Sequence, residues 1–94
     1  MTITPSFEHL PADFPRRFGL RPALSSREIE VLLAWIDSDS KTEAGRRLFI
    51  SQGTINTHLS RIREKYAAVG RPATTKAALV ARALQDALID IDDL

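Results

Sequence analysis

The 94-residue chain contains no cysteine, which excludes disulfide bridges, thiolate catalysis and cysteine-ligated zinc. It has no long hydrophobic run either, since the longest, Val31–Ile36, is far shorter than the roughly 20 residues that span a bilayer. The segment Met1–Leu10 has neither the basic start nor the apolar stretch of a signal peptide. We therefore expect a single small cytoplasmic domain that does not enter a membrane.

Net charge is also small, at +1, but it is unevenly distributed along the chain. Residues 41–76 carry eight basic and two acidic side chains, a net charge of +6, whereas residues 27–40 and 77–94 each carry −3. A basic middle between acidic flanks is typical of a protein that binds a polyanion.

Proline is concentrated at one end of the chain. Four of the five prolines lie within residues 1–23, where a proline inside a helix would cost about 3 kcal/mol. We interpret residues 1–23 as a proline-rich arm or linker that contacts either the core or a second chain through its large apolar side chains. Residues 24–90 then form the folded domain, and residues 91–94 form an acidic tail that we expect to fray.

Helix signals follow one another from Leu24 onwards. Ser25–Glu28 and Ser40–Glu43 are capping boxes, Ser51 precedes a third helix (about 52–66), and Thr74 or Thr75 precedes a fourth that extends to about Ile89. The predicted apolar faces are Ile29, Leu32, Leu33 and Ile36 in the first helix; Ala44, Gly45 and Leu48 in the second; Ile55, Leu59, Ile62 and Tyr66 in the third; and, in the fourth, Ala77, Val80, Ala81, Leu84 and Leu88 beside Leu79, Ala83 and Ala87. The predicted fold is all-α, a four-helix bundle.

The second and third helices are separated only by Phe49, Ile50 and Ser51, which is the spacing of a helix-turn-helix. In that motif the second helix of the pair lies in the major groove of DNA. Its polar face here offers side chains for reading bases: Asn56 for adenine, Thr57 for a thymine methyl group, Ser60 for close approach, and Arg61 for guanine or a phosphate.

Contacts with the DNA backbone are predicted around the same helix. The free amides of Ser51, Gln52 and Gly53 lie at a positive helix end, which favours a phosphate, and glycine permits close approach. Further basic side chains are placed for the backbone, namely Arg47, Arg63 and Lys65.

Two blocks resemble the LuxR-type (NarL/FixJ/GerE) DNA-binding domain of bacterial regulators. Leu24–Leu32, LSSREIEVL, is similar to the family's opening L-[TS]-x-R-E-x-E-V-L, and Arg46–Ile62 is similar to its core A-x-x-L-x-[IL]-S-x-x-T-[VI]-x-x-H-[LV]-x-x-[IM]. The resemblance covers residues 24–66 well and residues 74–89 more loosely. Asn56 stands where the family often has Lys or Arg, which implies a different base preference.

The resemblance implies a transcriptional regulator whose third helix reads DNA and whose fourth helix forms a homodimer. It implies base contacts at Asn56, Thr57 and Ser60, and backbone contacts near Thr54, His58 and Lys65. The residues and the resemblance together predict three sets of contacts. Base contacts are predicted at Asn56, Thr57, Ser60 and Arg61, and DNA backbone contacts at Ser51, Gln52, Gly53, Thr54, His58, Lys65 and Arg47. Dimer contacts are predicted at Leu79, Ala83, Leu84, Ala87 and Leu88.

Domains of this family commonly follow a receiver or sensor domain. The resemblance therefore implies either the output domain of a response regulator of a two-component system or a small stand-alone regulator. We expect a cytoplasmic, nucleoid-associated bacterial protein whose partners are double-stranded DNA, a second copy of the chain, and RNA polymerase.

Two alternatives stay open. The first is a sigma-factor region-four-like module that binds a promoter element together with RNA polymerase, which the segments Ser51–Ile55 and Arg61–Arg63 fit and the pair Thr57–His58 does not. The second is a helical protein-interaction module. No enzyme, metal or cofactor is expected, because the chain has no nucleophile–base pair and no glycine-rich phosphate loop, and His58 lacks a second ligand at metal-binding spacing.

Overall fold

The computed structural model describes residues 20–94. Within this range the chain forms four α-helices and no strand: α1 (Ser26–Ile36), α2 (Lys41–Leu48), α3 (Gln52–Ala68) and α4 (Lys76–Gln85), followed by a short 3₁₀ helix at Ile91–Asp93. The all-α prediction is confirmed, and the 3₁₀ helix lies within the acidic tail predicted at residues 91–94. The prediction of an arm falls almost entirely on residues outside those described.

Polar caps begin all four helices at the predicted positions. The Ser25 hydroxyl accepts from the Glu28 amide at 3.1 Å and the Glu28 carboxylate accepts from the Ser25 amide at 2.8 Å, so this capping box is complete. Ser40 caps α2, but the Glu43 carboxylate accepts from the amide of Asp39 instead, so the second box is only half formed. Thr75 caps α4.

The core lies where α1, α2 and α3 contact one another. The predicted stripe of α3 is confirmed, because its four residues, Ile55, Leu59, Ile62 and Tyr66, are completely buried. The stripe predicted for α1 is wrong in phase: its most buried apolar residues are Val31, Leu32 and Trp35. Since α1 packs against α2 on one side and α3 on the other, its buried face is centred between them, and the other predicted positions lie at its borders.

The turn between α2 and α3 requires a close approach of the backbone. The Ile50 amide donates to the Gly45 carbonyl at 2.9 Å, and a Cβ on Gly45 would lie 2.5 Å from the Ile50 carbonyl oxygen. Phe49 completes the turn in the left-handed conformation, with φ of 58°. The glycine is therefore needed to bring α3 against α2, although glycine weakens a helix.

The last helix differs most from its prediction. α4 ends at Gln85 rather than near Ile89, because Ala87 adopts a left-handed conformation with φ of 58° and the chain turns there. Leu79 and Ala83 face the interior and have no exposed surface. They cannot contact a second chain as predicted, since the core of their own domain already covers them.

Candidate nucleic-acid interface

One exposed face of α3 brings the four predicted base-reading residues together: Asn56, Thr57, Ser60 and Arg61. The opposite face of the helix is anchored by the buried Ile55 and Leu59. Because the core holds α3 along its whole length, this polar face is presented on a rigid element. A helix with this exposure can enter the major groove without unfolding any part of the domain.

The hydrogen-bonding capacity of this face is largely unused. The Thr57 hydroxyl donates to the Gly53 carbonyl at 3.0 Å, so it can only accept a further hydrogen bond, and its methyl group stays available. Within residues 20–94, the side chains of Asn56, Ser60 and Arg61 have no hydrogen-bond or ion-pair partner. These groups are thus free to pair with base edges.

The N-terminus of α3 is suited to bind an anion. Ser51 caps the Thr54 amide at 3.1 Å, and the first turn of the helix contains no acidic residue. The Gln52 side-chain oxygen accepts from the Thr42 hydroxyl at 3.2 Å, which leaves its NH₂ group to donate outwards. Gly53 is exposed, and a Cβ there would meet only the Ser51 hydroxyl, at 3.7 Å. The fold does not require glycine at that position.

Three cations predicted to reach the DNA backbone are held by other parts of the domain. Arg47 pairs with Asp37 at 2.7 Å and with Glu43 at 3.3 Å. Lys65 lies 2.6 Å from the Glu28 carboxylate and donates to the Ala23 carbonyl at 2.9 Å. The Arg63 guanidinium lies 5.5 Å from the centre of the Trp35 ring. Arg47 and Lys65 are thus already paired with carboxylates, whereas Arg63 has no ion-pair partner within residues 20–94.

The environment of Glu28 explains why Lys65 is held. Burial alone would raise the pKa of the Glu28 carboxyl, but hydrogen bonds from Lys65 and from Ser25 outweigh it and hold the pKa below its usual value. Glu28 is therefore a buried carboxylate that needs the lysine as its partner. This contact fixes the C-terminal half of α3 to the start of α1.

Arg46 was missed by reasoning from the sequence. It is exposed in the last turn of α2 and has no ion-pair partner among the described residues, unlike its neighbour Arg47. Only the rotation of α2, which directs Arg47 towards Asp37, distinguishes the two.

His58 is half-buried with its Nδ1 atom enclosed and unpaired within the described part of the chain. In that same part, no group of residues is arranged to hold a metal ion.

Comparisons with known proteins identify the family. Residues 22–78 match the GerE family, described as bacterial regulatory proteins of the luxR family. Neither the curated proteins nor the solved structures gave a significant match. Among the described helices none is long and apolar enough to cross a membrane. The match spans more than half of the chain and includes α1, α2, the turn and α3, so the chain belongs to the luxR family of DNA-binding bacterial regulatory proteins.

Proposed function

We propose that this chain is a sequence-specific regulator that binds double-stranded DNA as a homodimer, with α3 in the major groove. The observation that carries the proposal is the face of α3, where Asn56, Ser60 and Arg61 are exposed and have no partner within residues 20–94. Polar groups left free side by side on a rigid helix are what direct base recognition requires.

Asn56 is the principal base reader in this proposal. Its amide can donate to N7 and accept from N6 of one adenine at the same time, a pairing that lysine cannot make. Arg61, one turn further on, reads guanine or holds a phosphate. Thr57 adds a methyl contact to thymine and accepts from an amino group, because its own proton is bonded to Gly53.

Backbone binding begins at the N-terminus of α3. The amides of Ser51, Gln52 and Gly53 bind a phosphate, and Thr54 and His58 lie along its path. Arg46 takes the role first assigned to Arg47, since at the end of α2 it has no ion-pair partner within residues 20–94. Lys65 and Arg47 contribute charge near the DNA but mainly hold the helices in position.

The homodimer is formed through the end of α4 and the turn that follows. With Leu79 and Ala83 in the core, the surface left for it is Leu84, Ala87 and Leu88, all at least partly exposed. In the wider proposal the protein acts in the cytoplasm with RNA polymerase, under the control of a receiver or sensor domain.

Selection of duplexes from a random DNA pool, sequenced at two salt concentrations, tests this function. A motif with two-fold symmetry supports the dimeric regulator, and binding that weakens steeply with salt supports phosphate contacts, each adding about 0.9 to the slope of log K against log salt. An asymmetric motif with no symmetric partner would instead favour the sigma-like module. No enrichment at either salt concentration would contradict the proposal.

A further inference from the structure

The fold of a single chain does not explain why a phenylalanine stands at position 49. Its side chain is 94% exposed, and its backbone is left-handed, a conformation that large side chains rarely adopt. Glycine or asparagine would form the same turn with less strain. A strained position that carries a fully exposed aromatic ring indicates a contact with another molecule.

The surroundings of the ring narrow the kind of partner. Phe49 lies beside a shallow groove that includes Gly45 and Ile50, and the exposed Arg46 stands at its side. We call Phe49 and Arg46 the turn patch. A ring offers neither a donor nor a charge to DNA phosphates, which bind cations and amides. An apolar pocket with an acidic border fits the turn patch better.

The chain itself contains such a pocket. A groove of about 650 Å³ lies between the end of α1 and the segment after α4. Its apolar floor includes Leu33, Ile36 and Ile89, and its border includes Asp39 and Asp93. We call these five residues the acidic groove.

The acidic groove keeps a net negative charge among the described residues. Its one lysine, Lys76, donates to the Ser38 carbonyl at 2.6 Å and lies 5.2 Å from the centre of the Trp35 ring, and it is outnumbered by Asp39 and Asp93. Asp37 also lines the groove but is paired with Arg47. Within residues 20–94, the carboxylate of Asp39 has no ion-pair partner. A cation from another molecule can therefore pair with it.

We propose that the turn patch of one copy of this chain docks into the acidic groove of a second copy. Phe49 follows the last residue of α2, whereas Asp39 precedes the N-cap of the same helix, so the two surfaces lie at opposite ends of α2. One copy cannot pair them with each other. The contact is head-to-tail, and each added copy leaves one patch and one groove free, so copies form rows. Because Leu88 also lines the groove, this contact shares part of its surface with the proposed two-fold dimer.

Sedimentation of the full chain without DNA tests this contact. It separates the contact from the proposed homodimer, because a two-fold dimer stops at two copies whereas head-to-tail rows continue. The wild type is expected to associate into a concentration-dependent series of oligomers. Phe49→Asn keeps a residue that tolerates the left-handed turn, so it preserves the fold while weakening the head-to-tail contact at least about tenfold. Glu64→Lys, a charge reversal at an exposed site of α3, is the matched control and leaves association unchanged.

A charge exchange makes the test specific. Arg46→Glu and Asp39→Lys should each abolish the head-to-tail contact alone, because each places like charges opposite each other. An equal mixture of the two variants should recover two contacts, Glu at position 46 of the first with Lys at position 39 of the second, and Arg46 of the second with Asp39 of the first. The mixture should therefore form oligomers in which the two variants alternate. Oligomers larger than a dimer that survive Phe49→Asn, or a mixture that associates no better than its components, would overturn the proposal.

Discussion

The two halves of α3 use the same kinds of side chain in opposite ways. In the N-terminal half, up to Arg61, Asn56, Ser60 and Arg61 are exposed and have no partner within residues 20–94. In the C-terminal half, Lys65 pairs with Glu28, Arg63 stacks on Trp35, and the Tyr66 hydroxyl donates to Asp86 at 2.8 Å. One half is kept free for recognition, and the other anchors the helix that performs it.

The anchoring continues into the loop after α3. Arg71 is 5% exposed and lies 2.8 Å from the equally buried Asp86, and it also donates to the Leu20 carbonyl at 3.1 Å. Burial and the adjacent Asp86 raise the pKa of the Tyr66 hydroxyl well above its usual value, so it remains a hydrogen-bond donor at neutral pH. This network joins the start of the described chain to the end of α4. We therefore expect substitutions in the C-terminal half and its network to lower stability, and substitutions in the N-terminal half to weaken DNA binding.

The largest expected effect is that of Arg71→Met. This substitution keeps an unbranched side chain but leaves the Asp86 carboxylate buried without its cation, which costs about 3–5 kcal/mol of unfolding free energy. Urea denaturation followed by circular dichroism measures the loss. Arg61→Met, an exposed arginine in the other half, is the control and should change stability by less than about 0.5 kcal/mol. Similar small effects for both would show that the network does not anchor the domain.

Asn56→Ala should have the opposite effects, leaving stability nearly unchanged while weakening DNA recognition. It removes an exposed side chain with no partner within residues 20–94, so the unfolding free energy changes little. The selected duplex should lose about 1–3 kcal/mol of discrimination at one base pair. Titration of the variant against the selected duplex and its single-base variants measures this. Unchanged preference at every position would eliminate Asn56 as a reader.

Much of this division could be predicted from sequence, but not all. The caps at Ser25, Ser40 and Ser51 follow from hydrogen bonds that span three residues. The free face of α3 follows from the period of its buried stripe, which leaves the other side to solvent. Local patterns of this kind depend on neighbours in the chain, which a single sequence displays directly.

The anchoring half depends on partners that are distant in sequence. Lys65 and Glu28 are 37 positions apart, and nothing near Lys65 indicates that its charge is already paired. Likewise, α4 ends earlier than predicted, where Asp86 forms an ion pair with Arg71 and Ala87 takes a positive φ. The neighbouring residues in the sequence indicate neither feature. The role of Lys65 was therefore predicted from its charge and the family resemblance, and those of Leu79 and Ala83 from the period of the helix, without these distant contacts.

Lys65→Met sharpens the comparison at the anchoring half. Because Glu28 is nearly buried whereas the lysine is partly exposed, the loss of their ion pair should cost about 1 kcal/mol of unfolding free energy. If Lys65 mainly anchors α3, its substitution weakens DNA binding no more than removal of one surface charge would. Thermal denaturation and DNA titration of the same sample give both values.

The pH dependence of stability gives a control for that pair. The pKa of Glu28 is lowered in the folded state from a model-peptide value of 4.5, so its stabilising contribution is complete above pH 4.5 and is lost as the pH falls below it. In Lys65→Met this part of the acid-induced loss should shrink, since the lysine no longer favours the charged carboxylate. An unchanged acid profile would mean that the pair does not stabilise the fold.

The smallest effect, and the most discriminating, is expected at Gly53. Alanine is the better helix former, and its Cβ would meet only the Ser51 hydroxyl at 3.7 Å, so Gly53→Ala should raise the unfolding free energy by about 0.5 kcal/mol. The added methyl group stands between the first amides of α3 and a bound phosphate, which should lower DNA affinity about fivefold, or roughly 1 kcal/mol. Melting temperature and DNA titration would then change in opposite directions. A variant that gains stability and keeps full affinity would show that this helix end does not contact a phosphate, and that the other proposed contacts of α3 and Arg46 account for DNA binding.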